Sequence, residues 1–335
     1  MSRAQLTSTD QQNSGGPVSP YVAGKNKIIN GDFGIWQRGT SFTSPSNVYT
    51  CDRFVANGAT SDVLSQQTFT PGAAPVAGYE STYFARFAAS ANAGTRYFFQ
   101  RVEDVRTLSA QTVTFSFWAK TSSGTTTLTT YFYQQFGSGG SADVQSSTQT
   151  FTATTSWQRF SFTITMPSVS GKTIGAGSCV QAAITFTDTS KNIDTWGWQL
   201  EAGSVATPFT TATGTLSGEL AACQRYYWRW TSADNQYEYL TAVAAIATTT
   251  LVNFFLNHPV PMRTIPSAVD SGGTAPVLFT TSGLGPYSIS AYTINQAGIL
   301  TTQLQATSSG MTAGLAGAIR AAASTTSYVG LSAEL

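Results

Sequence analysis

Three stretches of the chain alternate aromatic or β-branched residues with threonine and serine. They are residues 112–118, 127–133 and 157–166. Side chains two positions apart along a strand lie on the same face of a sheet, so this pattern predicts antiparallel strands with one buried face. Turn-forming residues such as those at 137–140 separate the stretches, which indicates hairpins and short loops. Up to residue 210 we therefore expect a two-sheet β-sandwich.

One segment departs from this alternation and has helical spacing. Its apolar and aromatic members are Leu216, Leu220, Cys223 and Tyr227. Ser217 is a suitable N-cap and the helix dipole favours an anion at Glu219, so the spacing predicts a helix over 217–229. After it the alternation resumes, which predicts a second β-domain. The predicted strands of that domain are 236–246, 249–257, 262–269, 287–294, 298–306 and 328–335.

Charged side chains are scarce, and this excludes some classes of function. They make up 10% of the chain, with 17 basic and 16 acidic residues and a formal net charge of +1. Ordinary globular domains carry roughly 25% charged residues. The sequence has no basic run that could release counterions from a nucleic acid, so no nucleic-acid partner is expected. Its hydrophobic content of 41% is normal, which indicates that it has cores to build.

The segments that could direct the chain to a membrane are polar or interrupted. Residues 1–20 lack the apolar region of a secretory signal, which predicts synthesis in a cytoplasm. The longest apolar stretch, 240–256, contains threonines and Asn253, so it predicts two strands with a turn and no membrane insertion. Three cysteines are far apart and odd in number, which favours buried free thiols over a disulfide or a zinc site. They are Cys51, Cys179 and Cys223.

Charge is scarcest after residue 230. The charged residues that follow are Asp234, Glu238, Arg263, Asp270, Arg320 and Glu334. A surface this poor in charge is expected where subunits contact each other, and it favours a homo-oligomer. The small-residue segment 311–319 fits close packing around a symmetry axis, and almost as well a flexible surface loop.

No motif indicates a catalytic centre. His258 lies in Asn257-His258-Pro259 with neither a nearby carboxylate nor a Gly-x-Ser-x-Gly elbow, which favours a turn histidine. Glycoside hydrolysis needs two convergent carboxylates. The candidates for such a pair are Asp52, Glu103, Asp104, Asp188, Asp194 and Glu201. Structural hydrogen bonds or salt bridges explain the same residues, so no catalytic residue is predicted.

The aromatic residues are more informative about ligands. Trp196 and Trp198 are two positions apart, hence expected on one face of a strand, where they could stack on sugar rings. Burial in the sandwich core explains the same pair. Trp36, Tyr131 and Tyr133 have the same two interpretations, so these five residues are the candidates for glycan binding.

A second aromatic group follows the predicted helix and is expected to pack domains or subunits together. The group begins with Leu220 in the predicted helix. Its other members are Arg225, Tyr226, Tyr227, Trp228 and Trp230. Arginine side chains in this segment can lie on aromatic faces.

Several motifs resemble those of phage and prophage virion proteins. Asn30-Gly31-Asp32-Phe33 lies in an opening motif at 26–39, and Gln199-Leu200-Glu201 lies in a closing motif at 198–209. In that family a jelly-roll domain similar to carbohydrate-binding modules opens with Asn-Gly-Asp/Gly-Phe and closes with a Gln-Leu-Glu strand. Further matches are at 49–54, 219–227, 260–267 and 333–335.

The resemblance implies an all-β protein that is a tail fibre, tail tip or head fibre. Its parts would be an N-terminal virion-anchoring arm (1–24), a jelly roll like that of carbohydrate-binding modules (25–210), a linker and α-helix (211–230) and a second, smaller antiparallel β-sandwich (231–335) that trimerises. It implies a structural protein located in the virion, which binds another virion protein through the arm and glycans of the host surface. The chain has no coiled-coil shaft and no repeat, which favours a short fibre or a decoration.

The resemblance also implies a structural calcium, since jelly rolls of this type often hold one where the first and last strands meet. Asn30, Asp32 and Glu201 would supply its ligands, and no other cofactor is expected. A hydrogen-bonded closure of the sandwich explains the same three residues.

Two other functions stay open at this point. One is a capsular-polysaccharide depolymerase, against which the missing parallel β-helix repeats weigh. The other is a purely structural tail or head component without glycan binding.

Overall fold

A computed structural model describes residues 24–335 of the chain. The predicted arm, apart from Gly24, lies outside the described residues. The described part is nearly all β, with one short helix between two antiparallel sandwiches, and this confirms the predicted fold class. Within residues 24–335, no helix is both long and apolar enough to cross a membrane.

The first sandwich is built from strands between residues 41 and 202. They are β1 (Ser41–Thr43), β2 (Val48–Tyr49), β3 (Phe54–Asn57), β4 (Val63–Thr68), β5 (Tyr83–Ala88), β6 (Arg96–Glu103), β7 (Thr112–Thr121), β8 (Thr126–Gln135), β9 (Val144–Gln145), β10 (Gln149–Ala153), β11 (Gln158–Thr165), β12 (Cys179–Phe186) and β13 (Asn192–Ala202).

These strands form two antiparallel sheets. Sheet I has the order β1-β4-β5-β13-β7-β11, and sheet II has the order β10-β8-β12-β6-β3-β2 with β9 beside β8. The two sheets enclose a core of large aromatic side chains. Its fully buried members include Phe33, Phe54, Phe115, Phe117, Phe132 and Trp198.

The alternation along β8 decides which of its side chains enter this core. Leu128 and Phe132 are buried, whereas Tyr131 and Tyr133 point to the opposite face and are half-buried. This is the arrangement that the pattern at 127–133 predicts. The strand therefore joins the core to an open outer face.

Sheet I differs from the prediction of a single buried face. Strands β7 and β13 are buried on both sides. The reason is that Phe69, Tyr79 and Phe209, which lie outside the strands, pack on the outer face of sheet I around Trp196. One-sided burial was predicted for β7 and was wrong for that strand.

The helix, α1 (Leu216–Gln224), is shorter than predicted. Thr215 is its N-cap instead of Ser217, and the Thr215 hydroxyl accepts a hydrogen bond from the Gly218 amide at 3.0 Å. The predicted apolar face is confirmed in part: Cys223 and Tyr227 are buried, although Tyr227 lies in the strand after the helix, whereas Leu216 and Leu220 are exposed. The chain leaves the helix at residue 225 and enters a strand, because the aromatic segment that follows pairs with the end of the chain.

The second sandwich follows the helix. Its strands are β14 (Tyr227–Thr231), β15 (Tyr239–Ile246), β16 (Leu251–Asn257), β17 (Ala268–Gly272), β18 (Val277–Thr280), β19 (Tyr287–Ser288), β20 (Ala291–Ala297), β21 (Thr301–Thr307), β22 (Ala316–Arg320) and β23 (Tyr328–Ser332).

These strands form a three-stranded sheet, β14-β23-β17, that packs on a seven-stranded sheet, β19-β18-β22-β15-β16-β21-β20. The small-residue segment 311–319, predicted to be an axis contact or a surface loop, enters β22 in the middle of the larger sheet. Gly317 lies there because a β-carbon would overlap the main-chain oxygen of Phe279 on β18. The predicted strand at 262–269 was also misplaced, since β17 begins at Ala268.

Buried polar contacts join the two sandwiches beside the helix. Arg53 of the first sandwich is fully buried and forms an ion pair with Glu334. The Arg53 guanidinium carbon lies 3.4 Å from the centre of the Tyr226 ring, and that of Arg38 lies 3.6 Å from the centre of the Tyr227 ring. Both aromatic rings therefore cover cations of the first sandwich.

Three of the residues expected between domains lie at this junction. They are Arg225, Tyr226 and Tyr227, and Arg225 and Tyr226 both bind the carboxylate of Glu103. Trp228 and Trp230 instead pack against the core of the second sandwich. Leu220 is exposed on the helix, so it is not buried between the domains, and its expected contact between subunits stays a prediction.

Candidate functional site

The outer face of sheet II carries a cleft with a volume of about 360 Å³. Its lining consists of five amide side chains, three tyrosines, one phenylalanine and one arginine. These residues are Asn47, Asn57, Gln135, Gln145, Gln181, Tyr97, Tyr131, Tyr133, Phe99 and Arg101.

Strands β6, β12 and β8 place the cleft residues in rows across the sheet. In one row, Ala183 of β12 lies between Phe99 of β6 and Tyr131 of β8. Because the Ala183 methyl group is much smaller than the two rings beside it, the cleft is deepest at Ala183. In the next row Gln181 takes the central position, with Tyr133 beside it on β8. The cleft is thus a groove whose depth follows from a small residue on the central strand.

The floor and the rim of the cleft differ in burial. Val55, Phe99 and Ala183 form a buried apolar floor, at 1%, 5% and 0% exposure. Tyr97 and Tyr131 are half-buried and pack against this floor. Their rings therefore have one side supported by protein and one side open to a ligand.

The hydroxyl group of Tyr131 in the cleft is neutral. Burial raises the pKa of Tyr131, and the phenols of Tyr97 and Tyr133 raise this pKa further. A protonated phenol both donates and accepts hydrogen bonds. The cleft thus offers neutral hydroxyl and amide groups around an aromatic floor.

This arrangement suits a saccharide. A sugar ring has apolar C–H faces that pack on aromatic rings, and its hydroxyl groups need donors and acceptors that amide and phenol groups supply. Ligand sites generally combine apolar walls with a few convergent polar groups. The geometry can therefore hold a sugar by ring contact and by hydrogen bonds together.

Trp196 and Trp198 are buried and do not reach any ligand surface. Both side chains are 0% exposed. Gly197 between them has a φ of +66°, and β13 shifts its register against β7 at this point, which is a β-bulge. Trp198 therefore packs in the inner core against Phe115, at 5.1 Å between ring centres, while Trp196 packs against Phe209, at 4.8 Å, on the other side of sheet I. The prediction that the two indoles share a sugar-binding face was wrong, because the bulge interrupts the period of two.

Trp36 lies in the opening loop outside the cleft. It is half-buried against the first core, and its indole Nε1 donates to the main-chain oxygen of Phe33 at 2.7 Å. Of the five aromatic candidates, Tyr131 and Tyr133 line the cleft.

The other eight cleft residues were not predicted from the sequence. Tyr97, Phe99 and Arg101 follow a period of two, and this signal could have placed them on one face of a strand. What the sequence does not contain is the order of strands in sheet II, which puts β6 and β8 on either side of β12.

The three predicted calcium ligands are each held by protein groups. The Asn30 side chain bonds to the main chain of Ile35 and Asp52. The Asp32 carboxylate accepts from Tyr79, and burial raises its pKa.

Glu201 has partners of its own: its carboxylate accepts from Gln199 and Thr207 and pairs with Lys25 at 3.2 Å. No hydrogen bond within residues 24–335 joins Glu201 to Asn30 or Asp32, and no group of three His, Cys, Asp or Glu side chains suited to a metal occurs in that range. Calcium binding stays an untested prediction.

The acidic candidates for hydrolysis have structural partners and none of the described cleft residues is acidic. The pairs are Asp52 with Gln37, Glu103 with Arg225, Asp104 with Arg106, Asp188 with Lys191, Asp194 with Arg86, and Glu201 with Lys25. His258 is buried, and its two ring nitrogens lie 2.9 Å from the oxygens of Ile299 and Thr302. Each of these groups has a role in holding the fold.

One protein family matches part of the chain. Residues 56–175 match the family model described as carbohydrate binding domain. The match covers the cleft residues except Asn47 and Gln181. No curated protein matches the chain.

Solved structures similar to part of this chain include a phage tailspike domain and two carbohydrate-binding modules. The enzymatically active domain of tailspike protein 4 of bacteriophage CBA120 has 13% identity and a TM-score of 0.37, over 56% of this chain and 22% of that one. The CBM22-1 xylan-binding domain of Paenibacillus barcinonensis Xyn10C has 14% identity and a TM-score of 0.33, over 55% of this chain and 98% of that domain. The family 11 carbohydrate-binding module of Clostridium thermocellum has 9% identity and a TM-score of 0.31, over 50% of this chain and 97% of that module. The chain therefore spans less than a quarter of the tailspike domain.

Proposed function

We propose that the first sandwich binds a glycan in the cleft on sheet II. The observation that carries this proposal is the meeting of Tyr97, Tyr131 and Tyr133 with five amide side chains on one open face. The family match at 56–175 supports it. In this arrangement the glycan lies across β6, β12 and β8, with its sugar faces on the tyrosines and its hydroxyl groups on the amides.

Alanine variants of the two tyrosines on β8 test this proposal. Because an aromatic contact of this kind contributes about 1 kcal/mol, Tyr131→Ala or Tyr133→Ala should weaken binding about fivefold, and the double variant further. The measurement is titration calorimetry with a glycan selected on an array. Tyr239→Ala, an exposed tyrosine of the second sandwich, is the matched control and should bind as the unaltered protein does. Equal affinity of all five proteins would place the glycan elsewhere.

We further propose that the chain is a structural protein of a phage particle. It would be a short fibre or decoration, attached through residues 1–24 and exposing the cleft to host-surface glycans. The motifs at 26–39 and 198–209 support this proposal. Deleting residues 1–24 should abolish incorporation into particles. If the truncated protein still joins particles, the arm is not the anchor.

Trimerisation through the second sandwich is part of the same proposal. That sandwich is poor in charge, and Asp270 and Glu334 are already bound by Tyr227 and Arg53. Large apolar side chains such as Phe255, 61% exposed, remain on its surface. Light scattering at micromolar concentration should give the mass of three chains. A monomer would contradict this part and leave the glycan cleft unaffected.

We propose that binding is not followed by cleavage. The support is that the acidic side chains considered for hydrolysis are engaged in structural contacts, as described above. Incubation with host capsular polysaccharide should produce no new reducing ends. A rise in reducing ends would instead favour the depolymerase function.

A further inference from the structure

The charge of the cleft is carried by one residue. Arg101 is the charged member of the lining, and the other members are neutral amide, phenol and phenyl groups. Glu103, two positions further along β6 on the same face, is neutralised by Arg225 at 3.0 Å and accepts from the Tyr226 hydroxyl at 2.8 Å. A ligand in the cleft therefore meets one cationic side chain and no acidic side chain among the lining residues.

The guanidinium of Arg101 is held on one side and has donors to spare. Its Nη1 donates to the main-chain oxygen of Leu335 at 2.7 Å and lies 3.4 Å from the Tyr49 hydroxyl. Its carbon lies 5.4 Å from the centre of the Phe99 ring. An arginine carries five N–H donors. Within residues 24–335, no Asp or Glu side chain forms an ion pair with Arg101.

A guanidinium in such a position recognises a carboxylate better than a hydroxyl group. Its planar fork fits both oxygens of a carboxylate, and hydrogen bonds between two charged groups are roughly twice as strong as neutral ones. The absence of acidic side chains from the described lining removes the repulsion that an anionic sugar would otherwise meet. The hydrogen bond to Leu335 fixes the arginine in place before a ligand arrives.

We propose that the cleft selects acidic saccharides, and that Arg101 determines this specificity by pairing with a sugar carboxylate. The proposal rests on the proposed glycan-binding function of the same cleft. The neutral tyrosines and amides bind the sugar rings, and Arg101 distinguishes a uronic or sialic acid unit from a neutral hexose. Selectivity for the charged unit should weaken as salt rises, because the ion pair lies in an open cleft.

An array of paired polysaccharides tests this inference with the full chain. Galacturonan, alginate, hyaluronan and polysialic acid are each printed beside their carboxyl-reduced forms, together with neutral xylan and glucan. The unaltered protein should bind at least one acidic member ten times more tightly than its reduced form. Arg101→Gln should lose this preference while keeping its affinity for the reduced form, and Arg101→Lys, which keeps the charge without the fork, should retain part of it.

Two controls separate specificity from folding. Arg106→Gln alters an exposed arginine paired with Asp104 and should behave as the unaltered protein does. Tyr49→Phe removes the hydroxyl group beside Arg101 but leaves the charge of Arg101 unchanged, so the preference for acidic saccharides should persist. Tighter or equal binding of the reduced and neutral forms would overturn the inference and leave the proposed function standing. Binding to no member of the array would overturn the proposed function itself, and the inference with it.

Discussion

At the scale of single residues, buried polar side chains hold the loop that opens the first sandwich. Asn30 is fully buried, and its amide bonds to the Ile35 main chain twice, each at 2.9 Å. A β-carbon on Gly31 would overlap the main-chain oxygen of Trp198 on the closing strand. The opening motif thus has a structural role, since these contacts tie the loop to itself and to β13.

Asp52 makes the stability of this region depend on pH. It is fully buried, and burial raises its pKa to about 6, against the opposing effects of Arg38 and of hydrogen bonds from Gln37. The folded protein therefore holds this proton more tightly than the unfolded chain, whose pKa is near 3.8. The resulting stabilisation is complete below pH 4 and is lost as the pH rises through 6. Asp52→Asn removes it, so the free energy of unfolding of the unaltered protein relative to this variant should fall by about 3 kcal/mol between pH 4 and pH 7.5.

Denaturant unfolding at several pH values measures this difference. Asp234→Asn, a change at an exposed aspartate of the second sandwich, should give a profile parallel to that of the unaltered protein. A parallel profile for Asp52→Asn as well would show that the Asp52 carboxyl does not titrate as described.

At the scale of elements, the bulge in β13 decides what the closing strand contributes. Without it, Trp196 and Trp198 would lie on the same side of sheet I. With it, one indole enters the inner core and the other joins the aromatic layer on the outer side, where it lies 5.4 Å from Trp118 between ring centres. Strand β13 therefore stabilises both sides of sheet I, and the proposed glycan cleft lies on sheet II.

Gly197→Ala tests the bulge. A β-carbon at Gly197 would lie 2.6 Å from the Trp118 ring, on a backbone with a positive φ. Backbone strain and overpacking together should lower the free energy of unfolding by about 3 kcal/mol. Gly171→Ala is the matched control, because its φ is also positive, at +71°, but the space around it is open. It should cost about 1 kcal/mol. Equal losses in the two variants would mean that the Trp118 contact has no effect.

The elements also show how far the sequence predicts the fold and the cleft. Alternation predicted β7, β8 and β11, because each of these strands has a regular period of two. The same reasoning failed at Gly197 and at β22, where the decisive contacts come from residues distant in sequence. Tyr131 and Tyr133 were candidates from composition alone. Tyr131 and Tyr133 line the cleft, whereas Trp196 and Trp198 are buried. This difference depends on the strand order and on the bulge, and neither is a local property of the sequence.

At the scale of the whole molecule, the junction fixes the second sandwich beside the cleft. Glu334 binds Arg53, and the main-chain oxygen of the next residue, Leu335, accepts from Arg101 and from the Tyr49 hydroxyl, 2.8 Å away. Residues of the second sandwich thus reach the rim of the proposed glycan cleft on the first. The two sandwiches should therefore unfold in one cooperative transition.

Glu334→Gln tests this coupling. Loss of the carboxylate leaves the buried Arg53 without its counter-ion, so the free energy of unfolding should fall by about 3–5 kcal/mol. Asp104→Asn breaks the exposed pair with Arg106 and should change stability by less than about 1 kcal/mol. Thermal unfolding measures both. Equal stability of the two variants would show that the buried pair does not hold the sandwiches together.

The central claim is that the outer face of sheet II binds a glycan. The most direct test is a crystal structure of the full chain with an oligosaccharide that binds in solution. Sugar density should lie across β6, β12 and β8, with a ring against Tyr131 or Tyr133 and hydroxyl groups within hydrogen-bond distance of Gln181. Sugar density at another surface, with an empty cleft on sheet II, would contradict the claim.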